Sequence, residues 1–385
     1  MTSKERILNT LEGKYTDRIP VYTQIPFSVS KYGFKPGPFH GYEDYDNWRE
    51  CDPEYWKLVQ RMEKECDNFF IWRPSCMLSE PFFIPLSMTN TLPPVERSGR
   101  IEIEQVLEAD GVRLTQKKAV QPGTGHTWQL EHYCKTADDA RFILELPWKG
   151  YEASIGDFFE IERVLGDKGV IWVTVPSPLL VVCRLFDPME FFVIVAAEKE
   201  LVNKLMQIAY ERIYTNLELL LKAGAGPIIR FGGAEHATPP MLSPYDFDWL
   251  IVNFDKPLME LCKRYGCKVA VHCHGRIKHA LKRFVEMGVD QTDPVETVPD
   301  GDITLTGARE IAGDKITLTG NIQMKELYSA EPSYIEERVR QVIKELGPSR
   351  LVLTSTGTPL EKMSPRLFEN YHRFIDAALK YGTQV

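Results

Sequence analysis

The 385-residue chain lacks any apolar run near the roughly 18 residues that a membrane-spanning helix needs, and it opens on Lys4, Glu5 and Arg6 instead of a hydrophobic signal region. These absences predict a cytoplasmic protein with no membrane role. Positive charge is not in excess: 46 basic against 54 acidic side chains give a net charge of -8, which disfavours general affinity for nucleic acid or anionic lipid. None of the eight cysteines stands in C-x-x-C spacing, so they read as reduced thiols, most of them packing residues. No G-x-G-x-x-G or G-x-x-x-x-G-K-S/T motif follows any predicted strand, which removes the usual reason to expect a nucleotide-binding open sheet.

What is present is a globular composition, 43% hydrophobic and 26% charged, which excludes disorder. Thr2 or Ser3 offers an N-cap to a helix reaching Leu11, and Gly13 stops it. A strand is predicted over Arg18 to Gln24. Asp52 and Pro53 open a helix running to Cys66, and Asn68 to Trp72 reads as a buried strand. From about Met77 to Trp148 the pattern alternates, with Asp110-Gly111 at a turn, which predicts a small antiparallel insertion. From Val170 strands and helices alternate, with strands at about 170–175, 228–231, 268–272, 289–292, 316–319 and 351–354. Eight short strands joined mostly by helices predict one α/β domain over 1–385, a (β/α)8 barrel of the TIM type with N-terminal helices and the 77–148 insertion.

In such a barrel the polar residues that end each strand converge on one mouth. His272 and His274 share a face if the strand continues through them, while Cys273 projects to the other. With Glu235 they form a candidate two-histidine, one-carboxylate set for zinc or ferrous iron, against the plain alternative of hydrogen-bonded structural histidines. His236 reads as a fourth ligand, an acid/base residue or a loop residue. Asn321 is a candidate to orient a substrate oxygen or to form a turn, and Gly232, Gly233, Gly275 and Gly320 mark tight turns. The aromatic stretch Tyr22 to Tyr45 reads as a loop that caps the mouth or packs on the barrel. Trp72, Arg73, Trp172 and Arg276 stand near strand ends as candidates for substrate binding.

The segments Thr2 to Gly13 and Asp17-Arg-Ile-Pro-Val21 resemble the opening of the uroporphyrinogen decarboxylase superfamily. Val269 to Gly275 resembles its strand ending in H-x-C-G, Leu318 to Ile322 its L-x-G-N-I/V segment, and Leu351 to Leu360 its final strand. The resemblance implies a (β/α)8 barrel and two branches, porphyrinogen decarboxylases and zinc-dependent methyltransferases that work with corrinoid proteins. The decarboxylase branch carries an R-Q-A-G-R-Y-like segment after the first strand; Tyr22 to Ser30 holds no arginine to grip a porphyrinogen's carboxylates. The methyltransferase branch carries a metal-binding H-x-C and a later cysteine. Here His274 takes the first cysteine's place and no cysteine follows Cys273.

The resemblance therefore implies a methyltransferase that passes a methyl group from a methoxylated aromatic or similar ether to the cobalt of a partner corrinoid protein. Zinc would be held by Glu235, His272 and His274, with His236, Asn321 or Tyr22 assisting catalysis, and a homodimer is compatible with the superfamily. The rival readings are a lyase for a smaller acid, using Arg73 or Arg276 on its carboxylate, and a barrel that binds a ligand without turnover.

Overall fold

The computed structural model describes residues 1–37, 48–77, 82–122, 127–148 and 155–383, and in it the eight expected strands run parallel in one sheet. They are β1 (Val21–Tyr22), β2 (Asn68–Trp72), β3 (Gly169–Pro176), β4 (Ile228–Gly232), β5 (Lys268–His272), β6 (Gln291–Asp293), β7 (Thr317–Ile322) and β8 (Leu351–Ser355). From β2 to β8 and on to β1, chain order is spatial order, as helical crossovers between neighbouring parallel strands require. At the remaining seam Asp67 joins β1 to β2: its N–H donates to the Val21 carbonyl at 2.7 Å, and its carboxylate accepts from the Val21 N–H at 2.9 Å. β1 is shorter than the expected Arg18 to Gln24. Pro20 has no N–H to donate, and Gln24 turns the chain with a φ of 56°.

Alternation sorts the side chains. Phe69, Val170, Trp172, Ile228, Ala270 and Val352 point into the barrel, whereas Val173, Ile229, Val271, Leu318 and Leu353 pack under the outer helices. The helix Ser3–Glu12 plugs the lower end, with Ile7 and Leu11 fully buried against the inner set, each contributing roughly 1.5–3 kcal/mol of hydrophobic stabilisation. Its ends are fixed locally: Thr2 and Glu5 cap each other's backbone N–H groups, and Gly13 closes the helix at a φ of 68°.

The alternating region forms the expected antiparallel insertion, whose long hairpin Arg100–Ala109 and Val112–Val120 turns at Asp110-Gly111, both at positive φ. The aromatic stretch departs from expectation. Instead of a continuous loop it contains a hairpin, Phe27–Ser30 paired with Gly33–Pro36, in which Phe27 stacks on Phe34 at 4.5 Å. Phe34 is buried, and the Tyr55 hydroxyl donates to the Pro26 carbonyl at 3.0 Å, so the hairpin packs on the helix Pro53–Glu65. Phe39, Tyr42 and Tyr45 lie outside the described residues. No described helix is long and apolar enough to cross a membrane.

Candidate active site

The upper half of the barrel lumen is polar, and its chemistry begins with an arginine inside a strand. Arg230 follows Ile228 by two on β4 and so points inward, where its guanidinium lies 4.8 Å from the Trp172 ring. It is held by Asp293 at the end of β6, with Nη2 donating to Oδ2 at 2.7 Å and Nε to Oδ1 at 3.2 Å. The Nδ1 of His272 meets the same Oδ2 at 2.9 Å. Burial alone would push the Asp293 carboxyl up, but the charges and hydrogen bonds of Arg230 and His272 hold it well below the usual carboxylate range. Arg230, Asp293 and His272 thus form a chain from the buried lumen to an imidazole that is 23% exposed at the mouth.

His274 repeats the arrangement one step higher. Its Nδ1 lies 3.3 Å from Glu296, whose other oxygen accepts from the Gly275 N–H at 2.5 Å. Gly275 takes a φ of 82°, a backbone conformation that favours glycine. The two rings lie edge to face with centroids 4.6 Å apart, as the shared parity of positions 272 and 274 predicts. Burial would lower the His274 pKa. The hydrogen bond and charge of Glu296, with Glu235 and Asp293 beyond it, outweigh that and raise it above the ordinary histidine value. Cys273 turns away into the outer core, where burial drives its thiol pKa well up.

Glu235 and His236 lie on the short turn Ala234–Ala237 beyond β4. Gly233 must be glycine there, since a Cβ would sit 2.4 Å from Leu180 and its φ is 116°. Glu235 accepts from the Gly233 N–H at 3.2 Å. His236 is open to solvent, yet the protein packed around it still lowers its pKa, with Glu235 pulling the other way.

The expected metal set of Glu235, His272 and His274 does not assemble: among the described residues no three His, Cys, Asp or Glu side chains are grouped to hold a metal ion. The Nδ1 of each ring faces a carboxylate, and Cys273 points outward. The residues present do not fit a three-ligand zinc site.

The other candidates divide. Tyr22 and Trp172 are buried inside the barrel and form its aromatic floor with Phe69, Trp172 stacking on Phe69 at 4.2 Å and meeting Tyr22 edge-on at 5.6 Å. Burial raises the Tyr22 pKa, modulated by Arg230, Asp293 and Arg73. Arg73 continues the inward parity of Phe69 and Ile71. Arg276 is exposed beyond β5. Two expectations need correction. Trp72 has the opposite parity and faces the outer layer, donating to Asp157 at 3.1 Å and packing on Phe158, so it is not available to substrate. Asn321 is fully buried with its amide turned to the helix Pro332–Leu346: Oδ1 accepts from Arg338 at 3.3 Å, and Nδ2 reaches Thr297 at 3.5 Å. It supports the strand end and does not face a substrate oxygen.

Arg230, Asp293 and Glu296 were missed by the sequence reading. An arginine inside the apolar run Ile-Ile-Arg-Phe was a usable signal, because a buried charge must be paired. Away from the mouth, a cleft of about 330 Å³ lies between Arg141, Glu145, Glu198 and Lys204. Most of its charges answer each other, Arg141 to Glu198 and Lys204 to Glu145.

A family model described as uroporphyrinogen decarboxylase matches residues 159–381. No curated protein matches the chain. Among solved structures, a methyltransferase from Methanosarcina mazei aligns over 99% of each chain at 15% identity with a TM-score of 0.61, a likeness of fold. A B12-independent methionine synthase from a Shewanella species aligns over 94% of this chain and 97% of its own at 11% identity, with a TM-score of 0.43.

Proposed function

The chain belongs to the uroporphyrinogen decarboxylase family, and from that membership we propose that it is a methyltransferase, moving a methyl group from a methoxylated aromatic or similar ether to the cobalt of a partner corrinoid protein. The observation that carries this reading is the pair of carboxylate-backed imidazoles, His272 on Asp293 and His274 on Glu296, set above the floor of Tyr22, Phe69 and Trp172. The absence of arginine from Tyr22 to Ser30 argues against a porphyrinogen substrate. The fold of the Methanosarcina methyltransferase agrees with the branch chosen.

An ether is a poor leaving group unless its oxygen is neutralised as the carbon departs. In this reading the ring lies on the aromatic floor with its ether oxygen toward His274, whose pKa Glu296 raises against the effect of burial, favouring the protonated ring. A partner's corrinoid would supply the nucleophile, with its electron pair, for the methyl carbon. The C–O pair goes to oxygen, and the proton of His274 Nε2 converts the phenoxide to the phenol. His272, oriented by Asp293, steadies the His274 ring and the oxygen. A positioned acid contributes roughly 10² to 10⁴ in rate. Zinc has no step here, because its expected donors do not converge.

The test is to incubate the purified protein with methyl ethers and reduced corrinoid and to follow the cobalt spectrum. Methyl–cobalt should accumulate with a phenol released, and His274→Gln should abolish most of it. Carbon dioxide release from a small acid without corrinoid would overturn the reading in favour of the lyase that Arg73 favours. Loss of turnover on chelation, restored by zinc alone, would overturn the proton route.

A further inference from the structure

Among the described residues Arg73 is a cation in the mouth without a counter-charge. Arg73 makes no hydrogen bond or ion pair among the described residues, whereas the arginine next to it in space, Arg230, is matched by Asp293. Val173 pairs with Trp72 and Thr174 pairs with Arg230, so the residue after Trp72 stands level with Thr174 and Arg230. The same layer contains polar atoms without partners. Among the described residues Tyr22, 4% exposed, makes no hydrogen bond through its hydroxyl, and the buried Thr174 Oγ1, Thr354 Oγ1 and Trp172 Nε1 make none either. Tyr22 and Thr354 are paired in register, and Val352 below Thr354 faces the lumen, so these groups share one side of the barrel. Buried donors are almost always satisfied, and several unsatisfied ones around a single unopposed guanidinium describe a place for an acceptor-rich anion.

We propose that this layer binds the carboxylate of an aromatic acid, with Arg73 as its counter-ion and the hydroxyls of Tyr22, Thr174 and Thr354 as donors. The proposal rests on the methyltransferase reading only for the consequence that the ethers used are methoxylated aromatic acids. A monoanion suits the site better than a dianion, since Asp293, Glu235 and Glu296 already bring negative charge to the mouth. The Arg73 side chain reaches solvent at the mouth, yet the protein around it and the proximity of Arg230 both lower its pKa, so an arriving anion relieves a repulsion as well as forming contacts.

The experiment is calorimetric titration, without corrinoid, of benzoate, 4-methoxybenzoate, benzamide and inorganic phosphate into the wild-type chain, Arg73→Gln and Arg73→Lys. Benzoate and 4-methoxybenzoate should bind at least about tenfold more tightly than benzamide; Arg73→Gln should remove about that factor, and Arg73→Lys should restore part of it. Thr354→Val, which removes one buried donor and keeps the shape, should weaken benzoate more than benzamide. Equal binding of benzoate and benzamide, unchanged benzoate binding by Arg73→Gln, no benzoate binding, or a preference for phosphate would each overturn the proposal. Arg73-dependent benzoate binding with no methyl transfer from any ether would uphold the anion site and end the methyltransferase reading. Equal turnover of neutral and acidic ethers, insensitive to Arg73→Gln, would do the reverse.

Discussion

Two buried aspartates occupy opposite ends of the barrel, and their surroundings differ in one respect that separates support from chemistry. Asp67, below β2, is answered on every side by Arg6 at 2.7 Å, Arg18 at 2.5 Å and the Val21 N–H at 2.9 Å, and Arg6 continues to Asp17 at 2.6 Å. That network closes on itself and seals the barrel seam. Asp293, above β6, is held by Arg230 but passes its remaining interaction to His272, whose other ring nitrogen has no partner among the described residues. The same ingredients are therefore complete at one end and left open at the other. A closed network stabilises; an open one presents a ring nitrogen that a ligand can meet.

The comparison breaks most visibly at Asp67. Asp67→Ala strands Arg18 and half of Arg6 in a buried position, so chemical denaturation should show a loss on the order of 3–5 kcal/mol, with turnover per folded molecule unchanged. A loss under about 1 kcal/mol would mean that the seam is held by packing alone. Asp293→Asn is the matched experiment at the other end. The amide keeps the shape but loses the charge that orients His272, and kcat should fall on the order of a hundredfold or more while the fold persists. If the folding loss equalled that of Asp67→Ala with kcat unchanged, the two ends would be alike and the open-network account would be wrong.

A smaller effect sharpens the upper end. In the proposed reaction His274 is the acid, so kcat should be full while its ring is protonated and should fall as pH rises through its elevated pKa. Glu296→Gln removes the charge and hydrogen bond that raise it, and the alkaline limb should move to lower pH. The same shift has a stability counterpart of the same sign. A histidine whose folded pKa lies above its unfolded value stabilises at low pH, and that contribution disappears as pH rises through the folded pKa. Because the His274 side chain is 39% exposed, the stability change should be slight, and the rate profile is the sensitive readout. An unmoved limb would assign the acid elsewhere.

Much of the fold was legible before any coordinates. Strand β2 falls where the sequence puts it, the first helix begins at its cap and ends at Gly13, and the Asp110-Gly111 turn joins the two strands expected to flank it. Parity also foretold that His272 and His274 share a face and Cys273 does not. The hairpin at Phe27 to Pro36 escaped notice because its strands are four residues each and the second begins at glycine and ends at proline. Trp72 was misjudged by position alone: one residue along a strand exchanges the lumen for the outer layer.

Sequence by itself determined the eight-strand barrel, its plug and its insertion, because periodicity, caps and turn residues act over a few neighbours and need no distant partner. Tertiary structure alone decided what each polar group at the mouth meets. Asp293 finds Arg230 from 63 positions away, Asn321 is claimed by Arg338 on an outer helix, and Arg73 is left without an opposing charge among the described residues. Charges and hydrogen bonds are satisfied through space, so the difference between a supporting carboxylate and a working one is fixed only when the strands close into a ring.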